Sequence, residues 1–370
     1  MAVKLFGVGN ALTNKLFSRK LAIAAIAGTY IDKFTGEDDE SAFQMVTEAS
    51  KAAGDQITCG LAVNLTGDGV LGSDPLEGNE ESIATYDDAL ILNELKHAVR
   101  VGARSTITQQ RVPYDLRQLA LKKLSKWWVD KKDKWAANQL GGNTATSGTT
   151  SQFDTLGNDV RNTGLQATVA PSAGNLIRAG AQASDQALTS SDLFHLGLID
   201  IAVEKAKTLD PLIRPIMVGG QPFYLCFLHP HQVTDVRTAA TSAGTWYDIQ
   251  ARAMEGGEIQ GNPIFTGALG VYNQTILHEW PRVPRGVNGS TAAAIDTTRR
   301  AIFCGAQAMW IGYGQDHGPS RYKWVEKLWG YDEQLGVSGA CIGGAKKSRF
   351  NSADYGVITI HTFAQAHTDA

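Results

Sequence analysis

The residues with the most chemical potential lie in His229-Pro230-His231, with Asp235 four positions on and His278 further along the chain. Two imidazoles and a carboxylate are the donor set of a metal-dependent hydrolase using His229, His231 and Asp235, which is the enzymatic reading of the sequence. Their spacing argues against it. Pro230 separates the histidines, and no His-Glu-x-x-His sets two imidazoles on one helical face. Histidines at a strand-to-helix turn explain the same residues more simply. Asp316-His317 and His278-Glu279 are isolated pairs. GVSGACIGG, residues 336–344, lacks the Gly-Lys-Ser/Thr of a phosphate loop and reads as a flexible strand crossing. Neither a Gly-x-Ser-x-Gly elbow nor a strand-led Gly-x-Gly-x-x-Gly occurs. Cys59, Cys226, Cys304 and Cys341 sit far apart in apolar strings such as FYLCFL and AIFCGA, as four buried free thiols of a reducing compartment do. No catalytic residue, metal or cofactor is predicted.

The remaining chemistry is electrostatic. Five carboxylates, Asp68, Asp74, Glu77, Glu80 and Glu81, fall within 14 residues of a glycine-rich stretch. Cations crowd Gln109–Leu140, where Lys122, Lys123, Lys131 and Lys132 are candidates for a basic face. The acids need a support. GDQITCGLAVNL and SIATYDDALILNEL, on either side of them, alternate in part like two strands of a long hairpin. An isolated two-stranded ribbon is marginal in water, so a surface outside the hairpin must hold it. The lysines ride on a predicted helix, with Leu116, Ala120, Leu124, Trp127, Trp128 and Trp135 at helical spacing. Pro113 suits its first turn and Gly141-Gly142 its end. About 28 helical residues span roughly 40 Å. Such a rod lies against something broad and flat, or is a long core helix with solvated lysines.

At 370 residues the chain holds two or three domains. A charged fraction of 19% and a net charge of −3 exclude a global drive toward nucleic acid or membrane. Residues 19–28, RKLAIAAIAG, fail the pattern of a signal peptide, and no run approaches the ~18 apolar residues of a membrane span. The Asn64, Asn273 and Asn288 sequons are read as chance, and the chain as cytosolic where it is made. Residues 1–50 predict two short helices, the second in SAFQMVTEASK, too thin to own a core. Residues 141–190 are polar and aperiodic. A helix is predicted over 192–209, with strands in RPIMV, FYLCFL, NQTILHEW and RRAIFCGA. Helices are predicted around His231–Ala239 and Trp246–Met254, and further strands in the last third. The class is α+β.

In this order GDQIT, LEGNEES, QQRVPYDLRQLA, FYLCFLHPHQVTDVR, GNPIFTGALGVYNQTILHEWPRVP, RRAIFCGAQAMWIGYG and GACIGGAKKSRFNSADYGVITIHT resemble the major capsid proteins of tailed bacteriophages. The resemblance is to the short-tailed lytic branch and covers most of residues 50–363. It implies the α+β capsid fold shared by tailed phages and herpesviruses. Residues 1–50 would be an N-terminal arm and 51–93 an extended β-hairpin loop. Residues 94–190 would form a peripheral domain with a spine helix at 109–140, 191–318 an axial domain, and 319–370 the return strands of the peripheral domain. The implied function is a non-enzymatic shell protein that self-assembles as hexamers and pentamers into an icosahedral head. That head would enclose double-stranded DNA, contacted without reading its sequence. Portal, scaffolding and decoration proteins are the implied further partners, with no membrane; the implied location is the virion, assembled in the bacterial host cytoplasm. A cellular nanocompartment shell is the alternative within the same fold.

Overall fold

The computed structural model describes residues 29–46, 56–62, 69–72, 77–78, 80–82, 85–102, 106–113, 115–148, 166–238, 268–314 and 322–367. The strands run β1 (Thr35–Gly36), β2 (Phe43–Val46), β3 (Gln56–Ala62), β4 (Thr85–Ile91), β5 (Asn93–Gly102) and β6 (Leu176–Arg178). They continue as β7 (Ile216–Val218), β8 (Gln221–Leu228), β9 (Ala268–Tyr272), β10 (Thr275–Glu279), β11 (Arg285–Val287) and β12 (Ala294–Cys304). The last third adds β13 (Met309–Tyr313), β14 (Lys323–Trp329), β15 (Gln334–Lys347), β16 (Arg349–Phe350), β17 (Ala353–Asp354) and β18 (Val357–Phe363). The helices are α1 (Ile107–Gln110), α2 (Leu116–Leu140), α3 (Gly197–Thr208) and α4 (Pro230–Thr238).

A six-stranded sheet has the order β1-β2-β13-β15-β14, with β5 also paired to β15. Its centre is the 14-residue β15, so GVSGACIGG is continuous strand rather than a flexible crossing. Alternation along β14 turns Trp324 inward and Lys323, Val325 and Lys327 outward, as a half-buried strand requires. On the inner face Ala120, Leu124 and Trp128 of α2 meet Trp324, Leu335, Val337 and Cys341.

The long helix starts later than its periodicity suggests. Ile107–Gln110 forms a separate turn, and α2 opens at Leu116 behind the cap Asp115, whose carboxylate accepts Arg117 N–H at 2.9 Å. Pro113 precedes the cap instead of occupying the first turn. Aspartate satisfies two orphan N–H groups there, and residues before a proline disfavour helical backbone. The end matches: Gly141 N–H bonds Ala137 O at 2.9 Å, and Gly142 takes φ 58°. Over Ala136–Leu140 the helix is buried on all sides, polar Asn138 and Gln139 included, and Asp133 is buried a turn earlier.

The second sheet has eight strands, in the order β6-β18-β12-β8-β10-β9 with β11 on β12 and β7 on β8. Helix α3 covers one face through Leu198, Ile199, Ala202 and Val203. The other face takes Ile31, Phe34 and Phe43 from the N-terminal segment and Ala136, Ala137 and Leu140 from α2. With both faces covered, FYLCFL reads as an unbroken apolar run instead of an alternating one. Strand β18 pairs with β12, so residues 319–370 are divided between the sheets and do not return as one unit. Strand β6, from the aperiodic stretch 141–190, joins the same sheet through β18.

One N-terminal expectation changes. Phe43–Val46, predicted as helix, is a strand parallel to β13, whose open edge supplies more hydrogen bonds than an isolated helical turn. The segment 29–46 also packs on its own subunit, with Tyr30 stacked 5.8 Å from Trp280 and Phe34 edge-on to Phe227 at 5.2 Å. Helix α3 begins at Gly197 rather than 192, because the Asp192 carboxylate accepts Thr189 N–H at 2.9 Å in the preceding turn. Leu12, Leu16, Ile23, Ile26 and the helix predicted around Trp246–Met254 lie outside the described residues. Leu124 is fully buried between α2 and the sheet. Leu124→Ala is expected to cost the unassembled subunit about 2–5 kcal/mol in denaturant unfolding. Leu71→Ala, at a residue 85% exposed, is expected to stay within about 0.5 kcal/mol of the parent.

Candidate assembly surface

Strands β3 and β4 form the predicted hairpin, in register from Gln56↔Ile91 to Ala62↔Thr85. Its base is clamped to its own sheet: Ile57, Leu90 and Leu92 are buried with Trp310, Phe350 and Tyr355. Glycines in the sheet make room for it. A Cβ on Gly312 would lie 2.8 Å from Ile57 Cδ1, and one on Gly344 would lie 2.4 Å from Ile91 O. Lys346 ties the base down through the Asp88 carboxylate and through Ala89 O at 3.0 Å. Asp88 also accepts Arg349 N–H at 3.1 Å. Further out Thr85–Asp87, Leu71, Glu77, Glu80 and Glu81 are exposed, and Glu80 accepts Gly78 N–H at 2.8 Å. Asp68 and Asp74 lie outside the described residues.

The four candidate lysines separate. Lys122 and Lys123 are exposed on the first half of α2. Lys131, about half a turn around the helix from Lys122, is half-buried and lines a cavity with Trp128 and Trp135. Lys132 points into the subunit, 3.5 Å from Asp32 and 5.3 Å over the Tyr313 ring, so it leaves the basic face. Two cations near the hairpin base are also held inside the subunit. Lys347 lies 2.8 Å from Asp354 with both side chains buried, and Arg349 reaches the same carboxylate at 3.1 Å.

The residues of the enzymatic reading are engaged in local contacts, with the His229 and His231 rings 4.4 Å apart. His229 Nδ1 accepts His231 N–H at 3.2 Å, a turn contact. Burial and the nearby Arg299 push the His229 imidazole down to about 2, so it is neutral. Asp235 is met by His367 Nε2 at 3.0 Å, and His278 packs against Phe34 and Phe227. Among the described residues no three His, Cys, Asp or Glu side chains come together to hold a metal ion. The cysteines are free; Cys226, Cys304 and Cys341 are buried as expected, whereas Cys59 is only half-buried in the hairpin.

Sequence reasoning missed a buried charge cluster. Asp185, 3% exposed, accepts from Arg178 Nε at 3.0 Å and His361 Nδ1 at 2.7 Å through one oxygen. Its other oxygen takes Arg300 Nη2 at 2.8 Å and Val287 N–H at 3.1 Å. Arg300 also donates to Gly142 O at 2.7 Å, beyond the end of α2. Burial alone would raise the Asp185 carboxyl, but His361 and Arg300 outweigh it and hold it far below the usual carboxylate range. Burial and Arg300 push His361 down to about 4 against the pull of Asp185. A carboxylate only accepts, so His361 donates Nδ1–H to it, and Nε2 accepts from the Thr359 hydroxyl at 3.1 Å. The available signal was Thr359 and His361 alternating inside the apolar run VITIHT.

The whole chain answers to one family. The profile described as phage capsid protein matches residues 5–366. The chain belongs to the phage capsid protein family. The major capsid protein of Pseudomonas phage KPP25 is 28% identical over 368 residues, covering 90% of this chain and 91% of that protein. The capsid of Ralstonia phage GP4 superposes with a TM-score of 0.79 at 29% identity, covering 100% of both chains. The cyanophage Pam1 capsid shares the fold at a TM-score of 0.69 and 19% identity, over 92% of this chain and 94% of that one. The fold is therefore the phage capsid fold, and the protein is a phage major capsid protein, as the sequence resemblance implied.

In this capsid subunit the Asp185 cluster joins the end of α2, the 185–187 turn, β12 and β18. Its pH dependence and that of His229, outside the cluster, run in one direction, opposed in part by Asp133, which burial raises to about 6, and by the raised Asp235. His361 and His229 are depressed from 6.5, so the unfolded chain binds their protons first and stability falls as pH drops from about 6.5 toward 4. Asp185 is depressed too, and its contribution disappears only below about pH 4. Denaturant midpoints measured across this range should fall with acidification, and His361→Gln should flatten the upper part of the slope. Asp185→Asn, which leaves Arg300 buried against a neutral amide, should cost about 3–5 kcal/mol at pH 7.

Proposed function

We propose that this protein assembles with itself, as hexamers and pentamers, into the icosahedral head that encloses double-stranded phage DNA in the virion, built in the host cytoplasm. One observation carries the reading: the hairpin base is clamped to its own subunit while the outer half is exposed, with Leu71 85% accessible on an acidic tip. A two-stranded ribbon is marginal alone, so a neighbouring copy completes it. In this arrangement the six-stranded sheet with α2 is the peripheral domain and the eight-stranded sheet, β18 included, is the axial domain. Portal, scaffolding and decoration proteins are the further partners. The exposed Lys122 and Lys123 contact phosphate without reading sequence, because a net charge of −3 leaves only local basic surface.

Electron microscopy of the protein expressed alone tests the reading, with closed shells as the expected result. Subunits that remain monomeric at high concentration would overturn self-assembly. Shell strength comes from burial, since the cysteines are free, and each subunit should bury several thousand Å², above a standard ~1,600 Å² interface. Shells should therefore survive reductant and chelator. The combined Glu77→Gln, Glu80→Gln, Glu81→Gln variant should lower the yield of shells while the subunit still folds. Single exposed pairs are worth only ~0–1 kcal/mol, so the three are changed together. Wild-type yield, insensitive to salt, would instead assign the tip to its apolar residues: Val70, Leu71 and, outside the described residues, Leu76.

A further inference from the structure

Between β11 and β12 the chain turns through Asn288-Gly289-Ser290-Thr291-Ala292-Ala293, which holds the single Asn-Gly step of the sequence. The backbone closes this turn on itself: Asn288 N–H bonds Ala293 O at 2.8 Å, and Ala292 N–H bonds Asn288 O at 2.9 Å. The Asn288 carboxamide oxygen accepts Ser290 N–H at 2.9 Å and Thr291 N–H at 3.2 Å. Asn288 is half-buried, while Gly289, Ser290 and Thr291 are exposed. One contact reaches in from outside: Gly289 N–H donates to Gln186 Oε1 at 3.2 Å. Gln186 is itself exposed and follows Asp185, which accepts Val287 N–H at 3.1 Å. The turn therefore brings together an amide carbon, Asn288 Cγ, and the backbone nitrogen that follows it, with no side chain on Gly289 to obstruct their approach. Negative charge that develops on the carboxamide oxygen during attack meets two N–H groups already aimed at it.

We infer that Asn288 is a self-modification site, at which the Gly289 nitrogen attacks Asn288 Cγ and closes a succinimide ring. The N–Cγ bond forms, the Cγ–Nδ2 bond breaks, and ammonia leaves with the proton lost from the Gly289 nitrogen. Water then opens the ring at either carbonyl and leaves aspartate or isoaspartate at position 288. Gln186 restrains the step, because a nitrogen whose hydrogen is held by an acceptor must give up that bond before it attacks. Either product adds a negative charge to the subunit. Isoaspartate also inserts an extra main-chain carbon into the turn that sets the pairing Gly286↔Ile295 and Val287↔Ala294. The register beside the Asp185 cluster is weakened as a result. The chemistry belongs to the single chain and does not depend on the proposed assembly.

Peptide mass spectrometry of the full chain stored in mildly alkaline buffer reads the conversion, and isoaspartyl methyltransferase labelling separates ring opening from direct hydrolysis. Asn288 should gain isoaspartate. Asn273 and Asn351, exposed in turns but followed by Gln274 and Ser352, should stay amides. Gly289→Ala should remove the conversion and still fold, because a Cβ at Gly289 meets no atom within 4 Å. Gln186→Ala should speed the conversion about two- to tenfold, the worth of one hydrogen bond. Denaturant midpoints of stored wild-type protein should fall below those of fresh protein, whereas those of Gly289→Ala should hold. Three results would each overturn the site: isoaspartate to the same extent at all three asparagines, none at Asn288 while the urea-unfolded chain accumulates it there, or wild-type conversion in Gly289→Ala. An unchanged or slower rate in Gln186→Ala overturns the restraint.

Discussion

Gln334–Lys347 is hydrogen-bonded along both edges, packed against α2 on its inward face and covered by the hairpin base at its outward end, and the whole hairpin side of the molecule is referenced to it. Its edges take β5, β13 and β14. Its inward residues Leu335, Val337 and Cys341 receive α2, and its outward end receives the hairpin base over Gly344. Because side chains alternate with a period of two, one residue of slip would send the helix seat outward and the glycine floor inward. The register of this strand therefore sets the aim of the hairpin, and with it where any partner can meet the tip.

Charge is handled in two ways. Inside, Asp185, Arg300 and His361 are paired and desolvated, and the cluster ties a helix end, a turn and two strands together. Burying charges rarely adds net stability, but removing one partner leaves the others uncompensated. The cluster so defines one arrangement of these elements more than it strengthens them. Lys347 with Asp354 and Lys346 with Asp88 do the same for the segment between the sheets. Outside, carboxylates on the tip and cations on the sheet face and on α2 remain exposed, where each pair is weak and screened by salt. Weak contacts suit a shell, which multiplies them over many identical interfaces and lets misplaced subunits leave.

Much of the fold was legible in the residues. Apolar spacing located α2, though Asp115 moved its start from 109 to 116. Alternation on either side of a glycine-rich acidic stretch identified the hairpin, and the run FYLCFL identified a central strand. The failures have a common cause. Phe43–Val46 has too few residues to show a period, and an available edge on β13 decided its conformation. Asp185 looked like one more polar residue in an aperiodic stretch, because Arg300 and His361 lie more than a hundred positions away and only Arg178 is near it in the chain.

What the sequence by itself determined is therefore local and compositional: the long helix, the hairpin, the scattered thiols, the missing catalytic motifs, and the ordered set of segments that resembles a capsid protein. Charge, however, carries no address in sequence. Lys122, Lys132 and Lys346 are equivalent as letters; one is exposed, one points at Asp32, and one clamps the hairpin. Only the tertiary structure decided between them, because the direction of a side chain depends on which face of its element is covered, and long-range packing sets that. The same holds for the six-stranded sheet, where β5 and β14, more than two hundred residues apart, meet only through their shared neighbour β15.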